Sequence, residues 1–85
     1  MTNEELVMKA LAEVAPELDE ATLDRKAPLR EQLDLDSIDF LRFVVALSKL
    51  FGADIPERDY ARLSSVAQCA QYVGEAQATR ANTTT

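Results

Sequence analysis

The sequence predicts an all-α fold: a small four-helix bundle of three longer helices and one short one, with a long loop between the first and second. Three observations carry that prediction. Apolar residues recur at helical spacing in separate stretches, residues that start or stop helices bracket each stretch, and no strand of sustained alternating character appears. A chain of 85 residues forms one domain that buries roughly 60 to 65% of its unfolded surface, enough for a core without a metal or disulfide staple.

The first helix is expected over residues 2 to 15. Thr2 and Glu5 stand at capping-box spacing, Val7, Leu11 and Val14 share one stripe, and Pro16 ends the run. From Pro16 to Asp36 no period is sustained, which is long for a connection in a compact domain. Leu18, Leu23, Leu29 and Leu33 are placed to pin this loop onto the core, with a single helical turn at 29 to 33.

The second helix is expected from Ser37 to Phe51, capped by Asp36 or Ser37 and closed by a left-handed Gly52. At about 100° per residue, Phe40, Phe43, Val44, Leu47, Leu50 and Phe51 gather on one broad, core-facing side. Ile38, Leu41 and Val45 form a second apolar stripe on the opposite side, interleaved with Arg42, Ser48 and Lys49. One apolar face suffices for packing, so the second calls for another explanation.

Pro56 at the first helical position, with Glu57 and Asp59 in the first turn, predicts a short helix over PERDYARL. A last helix follows, opened by a second capping box at Ser65 and Gln68, with Val66, Cys69 or Ala70, Val73 and Ala76 as its buried stripe. The domain is expected to span residues 1–76, leaving 77–85 as a disordered polar tail without apolar periodicity.

Composition narrows the function classes. Fifteen acidic against nine basic side chains leave a formal charge of −6, which repels nucleic-acid phosphates and anionic lipid and suits basic partner proteins. With no histidine and a single cysteine, Cys69, in phase with a buried stripe, the chain offers no zinc site, internal disulfide or His-activated nucleophile. Asp34, Asp36 and Asp39 lack the glycine and closing glutamate of a calcium loop and read as solvated recognition charges. The longest uninterrupted apolar stretch, FVVAL, falls far short of the roughly 18 to 20 residues that span a bilayer. The acidic N-terminus is not a secretory signal, so a cytoplasmic location is expected.

Ser37 stands at the first turn of the second helix, where free N–H groups and the positive end of the macrodipole favour an anion. A phosphate ester there is stabilised. Within residues 31 to 41 the charged side chains are Glu31, Asp34, Asp36 and Asp39, with no base, so an enzyme acting on this serine needs a basic surface that the acids steer in. An ordinary helix cap explains the Asp-Ser pair but not the long loop, the flanking acids and the outer apolar stripe together.

The stretch LREQLDLDSIDFLRFVVALSKLFGADIPERD closely resembles the centre of acyl carrier proteins, whose Asp-Ser-Leu signature, extended by an acid, stands here as Asp36, Ser37, Ile38 and Asp39. FGADIPERD and LSSVAQCAQYV resemble the third and fourth helices of that family, so the likeness covers about residues 3 to 76. The resemblance implies a covalent 4′-phosphopantetheine on Ser37, transferred from coenzyme A by a magnesium-dependent phosphopantetheinyl transferase. An acyl or aminoacyl cargo then rides on its thiol as a thioester, and the protein is a substrate carrier rather than an enzyme. The implied partners are that transferase, a loading ligase or transferase and downstream biosynthetic enzymes. The resemblance implies that Ile38, Leu41 and Val45 dock partner enzymes, and Asp36, Asp39, Arg42 and Lys49 are expected to join them in the partner-recognition surface.

One departure bears on specificity. Where fatty-acid carriers are rich in acids, this helix carries Arg42, Ser48 and Lys49, which leads us to expect a dedicated carrier of a specialised pathway. The glycines and histidine usual before the serine of peptidyl-carrier domains are missing from LDLDS. Its own Met1 and short polar tail lead to the expectation of a free-standing protein rather than a module, and a monomer is expected. The rival reading is an unmodified helical interaction module that uses the Ile38, Leu41 and Val45 face.

Overall fold

A computed structural model describes residues 2–83. The order is α1 (Asn3–Val14), α2 (Leu29–Gln32), α3 (Ser37–Phe51), a 3₁₀ helix (Glu57–Leu63) and α4 (Val66–Thr83), with no strand among the described residues. The expected three longer helices and one short one are present, and the turn expected at 29 to 33 is α2.

α1 starts where its capping box predicts. The Thr2 hydroxyl accepts from the Glu5 N–H at 3.1 Å and the Glu5 carboxylate accepts from the Thr2 N–H at 3.3 Å, so two backbone donors of the first turn are satisfied. The helix buries Leu6, Val7, Met8, Ala10 and Leu11 and packs against both α3 and α4. The shared core gathers these residues with Phe43, Val44, Leu47, Leu63, Val66, Cys69 and Val73.

The long connection is held at both its apolar and polar atoms. Leu23 and Leu29 are buried, while Leu18 and Leu33 pack on the margin of the core. The Gln32 amide stitches the loop to itself, donating to the Asp24 carbonyl at 2.7 Å and the Ala27 carbonyl at 3.0 Å and accepting from the Asp24 N–H at 3.0 Å. The Leu29 N–H donates to the Ser64 carbonyl at 2.7 Å and the Ala67 N–H to the Arg25 carbonyl at 2.9 Å, tying the loop to the α4 end of the molecule. Asp34 takes the left-handed conformation at φ 53, which lets the Leu35 N–H reach back to the Arg30 carbonyl at 3.0 Å. This turn folds α2 against the start of α3.

Asp36 is the cap of α3: its carboxylate accepts from the Asp39 N–H at 2.8 Å. Gly52 closes the helix at φ 76, its N–H donating to the Ser48 carbonyl at 2.9 Å. Phe43, Val44, Ala46, Leu47 and Phe51 are buried, with Phe40 and Leu50 at the edge of the core. The opposite stripe faces solvent, with Ile38 63%, Leu41 48% and Val45 45% exposed.

The structure departs from the sequence reading at three places downstream. The short helix is 3₁₀, and Pro56 is the extended residue before it, at φ −67 and ψ 149, rather than its first residue. A 3₁₀ rise of about 2.0 Å per residue covers more distance than an α-helix, and its period of about three sets Tyr60 and Leu63 on one side, towards the core. At the start of α4 the Ser65 hydroxyl accepts from the Gln68 N–H at 3.2 Å, but the Gln68 side chain bonds to the Ser64 hydroxyl, so only half of the expected box forms. Finally, α4 continues to Thr83 instead of giving way to an irregular tail after residue 76. Each further residue of an established helix adds a hydrogen bond, and no proline interrupts this stretch. The rest of the expected tail, residues 84 and 85, lies outside the described residues.

Candidate functional site

Because Asp36 supplies the cap, the Ser37 hydroxyl is free of that duty and stands exposed in the first turn of α3. Its partner comes from α2: Arg30 Nη2 donates to Ser37 Oγ at 3.3 Å, across seven residues of sequence. The same guanidinium lies over the Phe40 ring, 5.8 Å from its centroid. Phe40 in turn meets Tyr60 edge-on at 6.3 Å and Phe43 at 6.1 Å, so a chain of aromatic contacts leads from the serine to the 3₁₀ helix and the core.

An open cleft of about 830 Å³ begins at this serine. Arg30, Leu35, Ser37, Phe40, Leu41 and Tyr60 form much of its lining. Leu35 is buried. The cleft thus combines an exposed hydroxyl, a cation and a largely apolar wall. An anionic ester on Ser37 would meet the positive end of α3 together with the Arg30 donor. An exposed hydroxyl beside a donor and an open cleft fits a phosphodiester-linked arm of mixed polarity.

The three other serines are engaged elsewhere. Ser48 donates to the Ala53 carbonyl at 2.6 Å and closes the end of α3, Ser64 bonds to Gln68, and Ser65 is buried as the acceptor for the Gln68 N–H. Ser48 is therefore part of the helix stop rather than of the outer charged face on which the sequence placed it.

The remaining sequence-derived residues separate into two groups. Asp36 and Asp39 are joined by the cap at the serine end of α3. Ile38, Leu41, Arg42, Val45 and Lys49 are exposed and follow one another at helical spacing along the outer side. Arg30 and Tyr60 were missed. Arg30 is the one base between Lys26 and Arg42, the only hint the sequence holds, and it reaches Ser37 through the left-handed turn at Asp34. Tyr60 belongs to the site because of how the 3₁₀ helix packs, and nothing in its neighbours in sequence signals this.

Cys69 is fully buried, its S–H directed at the Leu63 carbonyl at 3.4 Å, and burial pushes its thiol up to about 12. It packs the core. No helix among the described residues is long and apolar enough to cross a membrane.

Comparison with known proteins gives the family. The family described as "Phosphopantetheine attachment site" matches residues 5–73. An acyl carrier protein of Lactobacillus johnsonii is 34% identical over 76 residues, covering 86% of this chain and 94% of the relative. One of Rubrobacter xylanophilus is 32% identical over 79 residues, covering 91% and 98%. In fold, the chain is similar to the solved structure of the acyl carrier protein from Enterococcus faecalis, with a TM-score of 0.68 at 24% identity over 86% of this chain and 95% of that one. The chain belongs to the acyl carrier protein family, carriers whose 4′-phosphopantetheine is attached covalently to a serine.

Proposed function

We propose that Ser37 is the attachment serine and that the chain is a carrier, not a catalyst, that presents an acyl or aminoacyl group to the enzymes of a specialised biosynthetic pathway. The observation that carries this reading is the position of Ser37: an exposed first-turn hydroxyl beside an open cleft, while Ser48, Ser64 and Ser65 are held in structural hydrogen bonds. The arm supplies a terminal thiol on which cargo is carried as a thioester. The chain does the rest. Asp36 organises the first turn without occupying the Ser37 hydroxyl, Arg30 places a cation beside the attachment atom, and the outer side of α3 serves partner docking.

Partner choice follows from that outer side. Ile38, Leu41 and Val45 supply apolar contacts, Asp36 and Asp39 an acidic pole near the serine, and Arg42 and Lys49 a basic stretch beyond it. A partner with a uniformly basic groove meets like charges at Arg42 and Lys49, whereas a dedicated loading ligase or transferase with matching acids does not. We read the carrier as a cytoplasmic monomer, loaded by a phosphopantetheinyl transferase.

The test is intact mass after incubation with coenzyme A, magnesium and a broad-specificity phosphopantetheinyl transferase. Wild type is expected to gain a single phosphopantetheinyl group and Ser37→Ala none, with unchanged circular dichroism. A gain in both proteins, or in neither, would overturn the assignment. No gain together with intact partner binding by Ser37→Ala would instead favour the interaction module.

A further inference from the structure

We propose that Arg30 is the phosphate-binding residue of the carrier: its guanidinium holds the phosphodiester formed on Ser37 and fixes the root of the arm at the mouth of the cleft. This rests on Ser37 being the attachment site.

The geometry is already in place before any ester exists. Arg30 Nη2 lies 3.3 Å from the atom that would bear the phosphorus. Esterification leaves that oxygen a poor acceptor but adds two non-bridging oxygens on the phosphorus, which share one negative charge and suit the same planar fork. The side chain is aimed rather than free, because its guanidinium lies 5.8 Å from the centroid of Phe40, a ring itself braced by Tyr60 and Phe43. The backbone is aimed as well: the left-handed Asp34 and the Leu35 N–H to Arg30 carbonyl bond of 3.0 Å fold α2 back so that residues seven apart in sequence meet.

Charge makes the contact consequential. Glu31, Asp34, Asp36 and Asp39 surround the serine in sequence, so a further anion at Ser37 enters an acidic neighbourhood. Among the described residues Arg30 forms no ion pair; the two ion pairs present join Arg25 to Glu4 and Arg62 to Glu75. Its charge is therefore available to the phosphodiester. The positive end of the α3 dipole adds to this attraction, since Ser37 stands in the first turn of that helix. The remainder of the arm then leaves the protein from one place, beside the Phe40 and Tyr60 wall, instead of swinging from an untethered ester.

The experiment uses wild type, Arg30→Gln, Arg30→Lys and, as a charge control, Lys26→Gln, each converted fully to the phosphopantetheinylated form as verified by intact mass. The phosphorus-31 resonance of the diester and the nitrogen-15 resonance of the Arg30 Nε–H are then recorded at low and high salt. In wild type, loading is expected to shift the Arg30 Nε–H signal. The phosphorus line should be broader than in Arg30→Gln and narrow on adding salt. Lys26→Gln should match wild type, and Arg30→Lys should retain the salt dependence but lose part of the line broadening, because an ammonium keeps the charge without the fork. An Arg30 signal unmoved by loading, or phosphorus lines identical in wild type and Arg30→Gln, would overturn the proposal. Failure of the underlying assignment is seen separately and earlier, as a wild type that gains no mass.

Discussion

At the scale of single residues, Asp36 and Ser37 divide the start of α3 between them. Neighbouring residues at a helix start compete for the capping position, and here the carboxylate wins, accepting from the Asp39 N–H at 2.8 Å. The hydroxyl one residue later is left exposed and accepts from the Arg30 guanidinium. The two substitutions should therefore separate stability from function. Asp36→Ala is expected to cost about 1 kcal/mol, seen as a fall in Tm of about 4 to 8 °C for a chain of this size. Thermal unfolding followed by circular dichroism checks this, and a Tm equal to wild type would show that the cap contributes nothing. Both candidate caps could be read from the sequence. Which of them holds the N–H follows from the backbone: Asp36 is the extended residue before the helix, at φ −83 and ψ −177, and Ser37 is already helical.

At the scale of elements, the 3₁₀ helix is the member that neither propensity nor period alone places. Two anchors hold it to α4. Leu63 is fully buried, and the Tyr72 hydroxyl of α4 donates to the Asp59 carboxylate at 2.7 Å, with Arg62 stacked 5.1 Å from the Tyr72 ring centroid. Burial, reinforced by the hydrogen bond to Asp59, pushes the Tyr72 phenol from its ordinary value of 10.0 up to about 12. The folded protein therefore keeps this proton where the unfolded chain has released it. The stabilisation is complete below about pH 10 and is lost as the pH rises towards 12. Tyr72→Phe is expected to lower stability by about 1 kcal/mol near neutrality. Urea unfolding of both proteins across this range should show the gap closing above pH 10; a gap constant to pH 12 would contradict the assignment. The short helix could be located from Pro56 and its flanking acids, but its 3₁₀ character comes from packing Tyr60 and Leu63 together against the bundle.

At the scale of the whole molecule, the fold presents α3 twice. Its inner side completes the core with α1 and α4, and its outer side carries the exposed apolar residues Ile38, Leu41 and Val45. The charge along that outer side changes from acidic at Asp36 and Asp39 to basic at Arg42 and Lys49. Reversing both bases, Arg42→Glu with Lys49→Glu, should raise the efficiency with which a housekeeping malonyl transferase uses the loaded carrier several-fold, with the gain fading at high salt. Both side chains are exposed, so the fold should be unaffected. Measuring kcat/KM for both proteins is the check, and a wild type already used as well as the usual carrier of that enzyme would remove the case for a specialised partner.

The sequence by itself determined the helical class, the bounds of α3 from Asp36 to Gly52, the capping box at Thr2, the leucines that pin the loop and the two-sided character of α3. These rest on local hydrogen bonding and on periodicity, which are written in consecutive residues. It also singled out Ser37, through acids and apolar residues adjacent to it. Only the tertiary structure decided that Arg30 rather than an acid touches that serine, that Tyr60 joins Phe40 along the cleft, and that Ser48 belongs to the helix stop. Arg30 and Tyr60 lie on other elements: a left-handed turn brings Arg30 to Ser37, and the seating of the 3₁₀ helix on the core brings Tyr60 to Phe40. Such contacts depend on how elements pack, and a linear pattern does not carry that geometry.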